Sequence, residues 1–132
     1  MKSRLIVLLV VAFLISGVAA YAHHSFAGSY IEDKLITIQG KVVEFSIRNP
    51  HSFIGVEVTG KDGKVVRWGG EWAGVTQLQE GNVNRFSLKY GDIVTIEGAP
   101  PRDSAEPKLL VRKVHRDKKG DTPEFNWGGN VR

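Results

Sequence analysis

Four histidines, His23, His24, His51 and His115, carry most of the coordination chemistry open to this 132-residue chain. Neutral imidazole binds Cu(II), Zn(II) and Ni(II), and Cu(II) stands at the top of the divalent affinity order. His23 and His24 are adjacent and follow Ala20-Tyr21-Ala22, an A-x-A pattern of the kind a signal peptidase cuts. Cleavage after Ala22 makes His23 the first residue, so that its α-amine and ring chelate one ion together. His51, in the turn Arg48-Asn49-Pro50-His51, then supplies the third nitrogen of a T-shaped site of the histidine-brace kind. His24 is an auxiliary ligand: an extended backbone points it elsewhere, an irregular one brings it in. Cleavage after Ala20 instead leaves Tyr21-Ala22-His23, an amino-terminal X-X-His motif that wraps square-planar Cu(II) or Ni(II) with its amine, two backbone amides and the imidazole. Copper is favoured either way. A plainer account also exists, in which His23 and His24 lie in a solvated arm and the ring of His51 bonds a backbone carbonyl in its turn. His115, between Val114 and Arg116 on a late strand, reads as a surface residue.

Glu71 is the leading carboxylate, at the end of a strand and just before a helix. It is a candidate outer-shell orienter of a histidine ligand, or else an outward-facing residue paired with Arg67 or Lys64. Trp68, Glu71 and Trp72 together make a possible ligand face, although tryptophans at i and i+4 on one strand also suit a core. Other chemistries drop out. The chain has no cysteine, so it has neither thiolate nucleophile nor soft ligand nor disulfide. A Gly-rich phosphate loop ending in Lys-Ser/Thr and a nucleophile elbow are both missing.

These residues need a scaffold to position them. Residues 1–22 read as a signal peptide, with Lys2 and Arg4 as the positive region and Leu5 to Ile15 as an apolar run too short to span a bilayer. The expected location is therefore periplasmic or secreted in a bacterium, with no transmembrane span after cleavage. Removing that segment takes the 18 basic residues to 16, against 14 acidic ones. The resulting net charge of +2, together with export, argues against a nucleic-acid partner. What is left suits one domain.

Residues 23–35 read as a polar N-terminal arm, with Phe26 and Tyr30 as anchors. In the first strand, from Ile36, the apolar positions change parity between Ile36-Thr37-Ile38-Gln39-Gly40-Lys41-Val42 and Val43-Glu44-Phe45-Ser46-Ile47. The change marks an inserted residue, a bulge near Gly40 to Val43. Ser52 to Thr59 and Val65 to Trp72 are the next two strands, and Asp62-Gly63 between them predicts a type I′ hairpin. Ala73 to Gly81 is a short helix stopped by Gly81. Ile93 to Glu97 and Leu109 to His115 are the last strands, and residues 117–132 read as a polar tail. Three strands, a helix and two strands give an all-β, OB-like five-stranded small barrel over residues 36–116.

His23-His24-Ser25-Phe26, Asn49-Pro50-His51, Trp68-Gly69-Gly70-Glu71-Trp72-Ala73-Gly74-Val75-Thr76-Gln77-Leu78, Leu88-Lys89-Tyr90-Gly91-Asp92 and Trp127-Gly128-Gly129 resemble the signatures of domain-of-unknown-function family 6152. The resemblance implies an exported bacterial protein with a β-rich domain, and no particular reaction. The expected function is non-enzymatic binding, with copper held by His23, His24 and His51. The alternative is a metal-free module that takes a small ligand or an unknown periplasmic partner on the Trp68/Glu71/Trp72 face. A third class, a copper oxidase or oxygenase, needs the same brace with an open coordination position.

Overall fold

The computed structural model describes Met1 and residues 26–131. From residue 36 onward, among the described residues, six strands and one helix follow one another as β1 (Ile36–Ser46), β2 (Ser52–Thr59), β3 (Val65–Trp72), α1 (Val75–Glu80), β4 (Ile93–Ala99), β5 (Lys108–Arg116) and β6 (Phe125–Gly128). Antiparallel neighbours run in the order β3-β2-β1-β4-β5-β6, and a parallel pairing of β3 with β5 at Gly69–Glu71 closes the first five strands into a barrel. Closure removes the free edges that an open sheet would expose. The OB-like five-stranded small barrel expected from the order of elements is the fold observed.

The parity change in β1 has the predicted cause. Val42 faces Val56 and Glu44 faces Gly55, so Val43 is the extra residue in the ladder. Before it, Val42 is buried with Ile54 and Val56, and after it Phe45 packs against the same core. The bulge lets one long strand keep its apolar side inward while it bends between two neighbours.

Two turns differ from expectation. In the β2–β3 hairpin only Gly63 has positive φ (77°). The Gly63 amide donates to the Gly60 carbonyl, 3.0 Å away, and Asp62 Oδ1 accepts from the Lys64 amide at 3.0 Å. This is a type I turn followed by a left-handed glycine, not a type I′ turn: Asp62 accepts a local hydrogen bond and need not adopt positive φ. At the end of α1 the left-handed residue is Asn82 (φ 58°), and the Val83 amide closes back onto the Leu78 carbonyl at 2.8 Å. Gly81 is needed for space instead, because a Cβ there would lie 2.6 Å from Trp127 Nε1.

The stretch read as a polar tail carries a strand. β6 pairs with the end of β5 from Lys113↔Gly128 to Arg116↔Phe125. Its Trp127 is buried and meets Trp72 edge-on, with ring centroids 5.2 Å apart. Hydropathy hid this element, since its single buried ring sits in a four-residue run flanked by Pro, Glu and Gly. Arg116 is also buried and donates to Asp92 Oδ2 (2.7 Å), the Ser87 carbonyl (2.8 Å) and the Pro123 carbonyl (2.9 Å). It thereby joins β5, the turn before β4 and the approach to β6.

Candidate functional site

One end of the barrel gathers the residues singled out for chemistry. The hairpin register pairs Ser52 with Trp72 and Phe53 with Glu71. His51, just before β2, therefore falls diagonally across from Glu71. Its Nδ1 lies 3.3 Å from Glu71 Oε1. The other carboxylate oxygen, Oε2, accepts a hydrogen bond from the Tyr30 hydroxyl at 2.8 Å. Glu71 thus bridges a phenol and an imidazole. Arg67, one of the two partners expected for Glu71, pairs with Glu44 on β1 instead.

Tyr30 is buried, and burial raises its phenol well above the ordinary tyrosine value, helped by the hydrogen bond to Glu71 and by the negative charges of Glu71 and Glu106. It remains a donor at all physiological pH, which keeps Oε2 occupied. A carboxylate beside Nδ1 favours the tautomer with its proton on that nitrogen, leaving the Nε2 lone pair for a ligand. A carboxylate set beside one ring nitrogen orients a metal-binding imidazole.

The turn that presents His51 is tied at both ends. The Ser52 hydroxyl accepts from the Arg48 amide at 3.1 Å and lies 3.3 Å from the Arg48 carbonyl. Asn49 Oδ1 accepts from the Val75 amide at 2.9 Å, capping α1 from outside its own sequence. Gly74, the residue at the helix entrance, has no side chain to do so. A Cβ on Gly74 would sit 2.6 Å from the Pro50 carbonyl oxygen, so the close approach needs glycine. The Asn49-Pro50-His51 turn and the start of α1 form one interlocked piece.

The N-terminal arm packs onto the same place. A helical turn covers residues 26–29, and the Phe26 and His51 ring centroids stand 4.6 Å apart. The arm is held by the Ile31 amide on the Pro100 carbonyl (2.9 Å), the Arg102 amide on the Ser29 carbonyl (2.9 Å) and Arg102 Nε on the Ala27 carbonyl (2.6 Å). His23 and His24 lie outside the described residues. Among the described residues no three His, Asp or Glu side chains stand where they could hold one ion. An open pocket of about 310 Å³ adjoins His51 and Glu71, with Arg48 and Lys108 also on its wall.

The proposed tryptophan face is not a single surface. Trp72 is fully buried between Phe45 and Trp127, and Trp68, partly buried, packs against the same core. Glu71 occupies the opposite face of β3, as period-two alternation requires. His115 stands far along β5, in contact with Asn126 and Asp117. Sequence reasoning treated Tyr30 and Phe26 as anchors and Asn49 as a turn residue, and so missed their contacts with Glu71, His51 and α1. One signal was available: Ala73-Gly74 at the entrance of α1 offers no side-chain oxygen, so any side-chain cap comes from elsewhere in the chain.

A family of unknown function, DUF6152, has a model that matches residues 11–109. The chain belongs to that family. The match spans the His23–Phe26, Asn49–His51, Trp68–Leu78 and Leu88–Asp92 stretches, while β6 lies beyond it. No curated protein matches the chain at a significant level. Membership of DUF6152 brings no reaction with it.

Proposed function

We propose that this DUF6152 protein is an exported, periplasmic binding protein that holds copper without catalysing a reaction. In this reading His23 binds through its amine and ring, His51 supplies the fold-borne imidazole, and His24 is auxiliary. The observation that carries it is the Tyr30–Glu71–His51 chain, a carboxylate set against Nδ1 of a histidine whose other nitrogen is left to coordinate. Phe26 adds to it. With its ring on His51, the Cα of His23 is at most roughly 11 Å of chain from that of Phe26, so an N-terminus at His23 would start within reach of the imidazole.

Intact mass of the exported protein and Cu(II) titration test the reading together. A chain beginning at His23 whose copper affinity collapses in His51→Ala supports the assembled site. A chain beginning at Tyr21 replaces the brace with an X-X-His site that does not need His51. Equal copper affinity in parent and His51→Ala overturns the proposal.

The metal-free alternative draws on the open pocket beside His51 and Glu71, where Arg48 and Lys108 would suit an anionic small molecule. It predicts a ligand whose binding survives a chelator and the loss of His23.

A further inference from the structure

We propose that His115 is a protonation-dependent clasp that fastens β6 to the barrel. Its two ring nitrogens both face oxygen acceptors. Nδ1 lies 2.6 Å from Asn126 Oδ1, and Nε2 lies 2.9 Å from Asp117 Oδ1. The Asn126 amide cannot be turned round at no cost, because its Nδ2 donates to Glu124 Oε1 at 2.9 Å. Neutral imidazole has one N–H and one acceptor nitrogen, so it satisfies only one of the two contacts. The arrangement is made for imidazolium.

The surrounding charges agree. Asp117, on the connection after β5, and Glu124, whose Oε1 is 3.8 Å from Nδ1, bring negative charge to the ring. On β4 the register partner is Thr95, and Gln39 of β1 reaches Thr95 in turn, so the residues directly opposite the ring on these two elements are uncharged. Lys113, two residues along β5, is committed to Glu97 at 3.0 Å, and Arg116 to Asp92. Lys118 and Lys119, exposed and lining a surface pocket together with His115, are the opposing cations. The hydrogen bond to Asn126, followed by that to Asp117, raises His115 above its ordinary value of 6.5.

The sign follows from linkage. A histidine raised in the folded state contributes stability that is full below pH 6.5 and is lost as pH rises through the folded value. The element at stake covers the core, since β6 seats Trp127 against Trp72, and the following Asn130 carbonyl accepts from Gln77 Nε2 of α1 at 2.6 Å. Opening β6 would uncover Trp72, the residue after Glu71.

NMR on the full mature chain tests the clasp by following the His115 ring titration and the hydrogen-exchange protection of β6 amides between pH 5.5 and 8.5. The expected result is a His115 midpoint above 6.5 and a β6 opening constant that grows with pH. Its growth should reach at most ten to the power of the His115 displacement, because Asp117 stays beside the ring when β6 opens, while β1 and β2 amides keep their protection factors. His115→Gln should hold β6 at the high-pH level throughout, and Asp117→Asn should lower the His115 midpoint and reduce the pH effect. A β6 opening constant that does not change with pH, or one that changes as much in His115→Gln, overturns the proposal.

Discussion

Glu71 is the residue on which the site depends, because it holds Tyr30 with one oxygen and faces His51 with the other. Replacing it by glutamine keeps the volume but removes the charge that favours a proton on Nδ1. Outer-shell substitutions of this sort typically cost about 10- to 100-fold in metal affinity. In the proposed copper site Glu71→Gln should therefore weaken Cu(II) binding by that order in a competition titration, and His51→Ala should weaken it further. Tyr30→Phe leaves the carboxylate beside His51 and removes only the hydrogen bond to it. Its cost should appear chiefly in denaturant unfolding, at about 1.5 kcal/mol for a hydrogen bond to a charged acceptor. If Tyr30→Phe lowers copper affinity as much as Glu71→Gln does, the carboxylate is not the orienting group. Glu71 and His51 were each visible in the sequence as possible actors. Their pairing was one inference away, since a hairpin turning at Asp62 brings Phe53 opposite Glu71.

Among the elements, α1 and the Arg48–His51 turn are each incomplete without the other. The helix lacks a cap of its own and takes Asn49 Oδ1 onto the Val75 amide, while Gly74 admits the Pro50 carbonyl. Asn49→Ala should cost about 1 kcal/mol, the usual loss for a helix cap. Gly74→Ala forces a Cβ against backbone and should cost about 1–3 kcal/mol, as overpacking does. Urea unfolding measures both costs, and the His51 ring resonance reports whether the turn has moved. An unshifted His51 signal in a destabilised Gly74→Ala would mean that turn and helix are not coupled. The strands themselves were legible, because side-chain alternation with period two is a local signal and barrel closure needs each strand to keep one apolar face. That Asn49 supplies the cap was not legible, because donor and acceptor lie on different elements. The type of the β2–β3 turn was missed for a smaller reason, that Asp-Gly is compatible with more than one turn.

At the scale of the whole molecule, the folding unit extends past the five barrel strands. Trp72 is fully buried, and one of its walls is Trp127 of β6. Arg116, at the end of β5, takes the Pro123 carbonyl as one of its acceptors. A chain cut after Arg116 would keep the barrel ladder but leave a tryptophan face and a buried guanidinium short of partners. Removing a buried aromatic costs about 3–5 kcal/mol, a large share of the roughly 5–15 kcal/mol that holds a domain of this size folded. No disulfide is available to compensate, since the chain has no cysteine. Trp127→Ala should accordingly shift the urea midpoint strongly downward and raise the exposure of Trp72 to a fluorescence quencher. Trp127→Phe, which keeps an aromatic ring on Trp72, should recover most of the loss. If the alanine variant unfolds at the parental midpoint, β6 is an appendage and the barrel closes its own core. The sequence signs of β6 were two isolated aromatics among polar residues, and their meaning depended on a partner about 55 residues earlier in the chain, which no local pattern encodes.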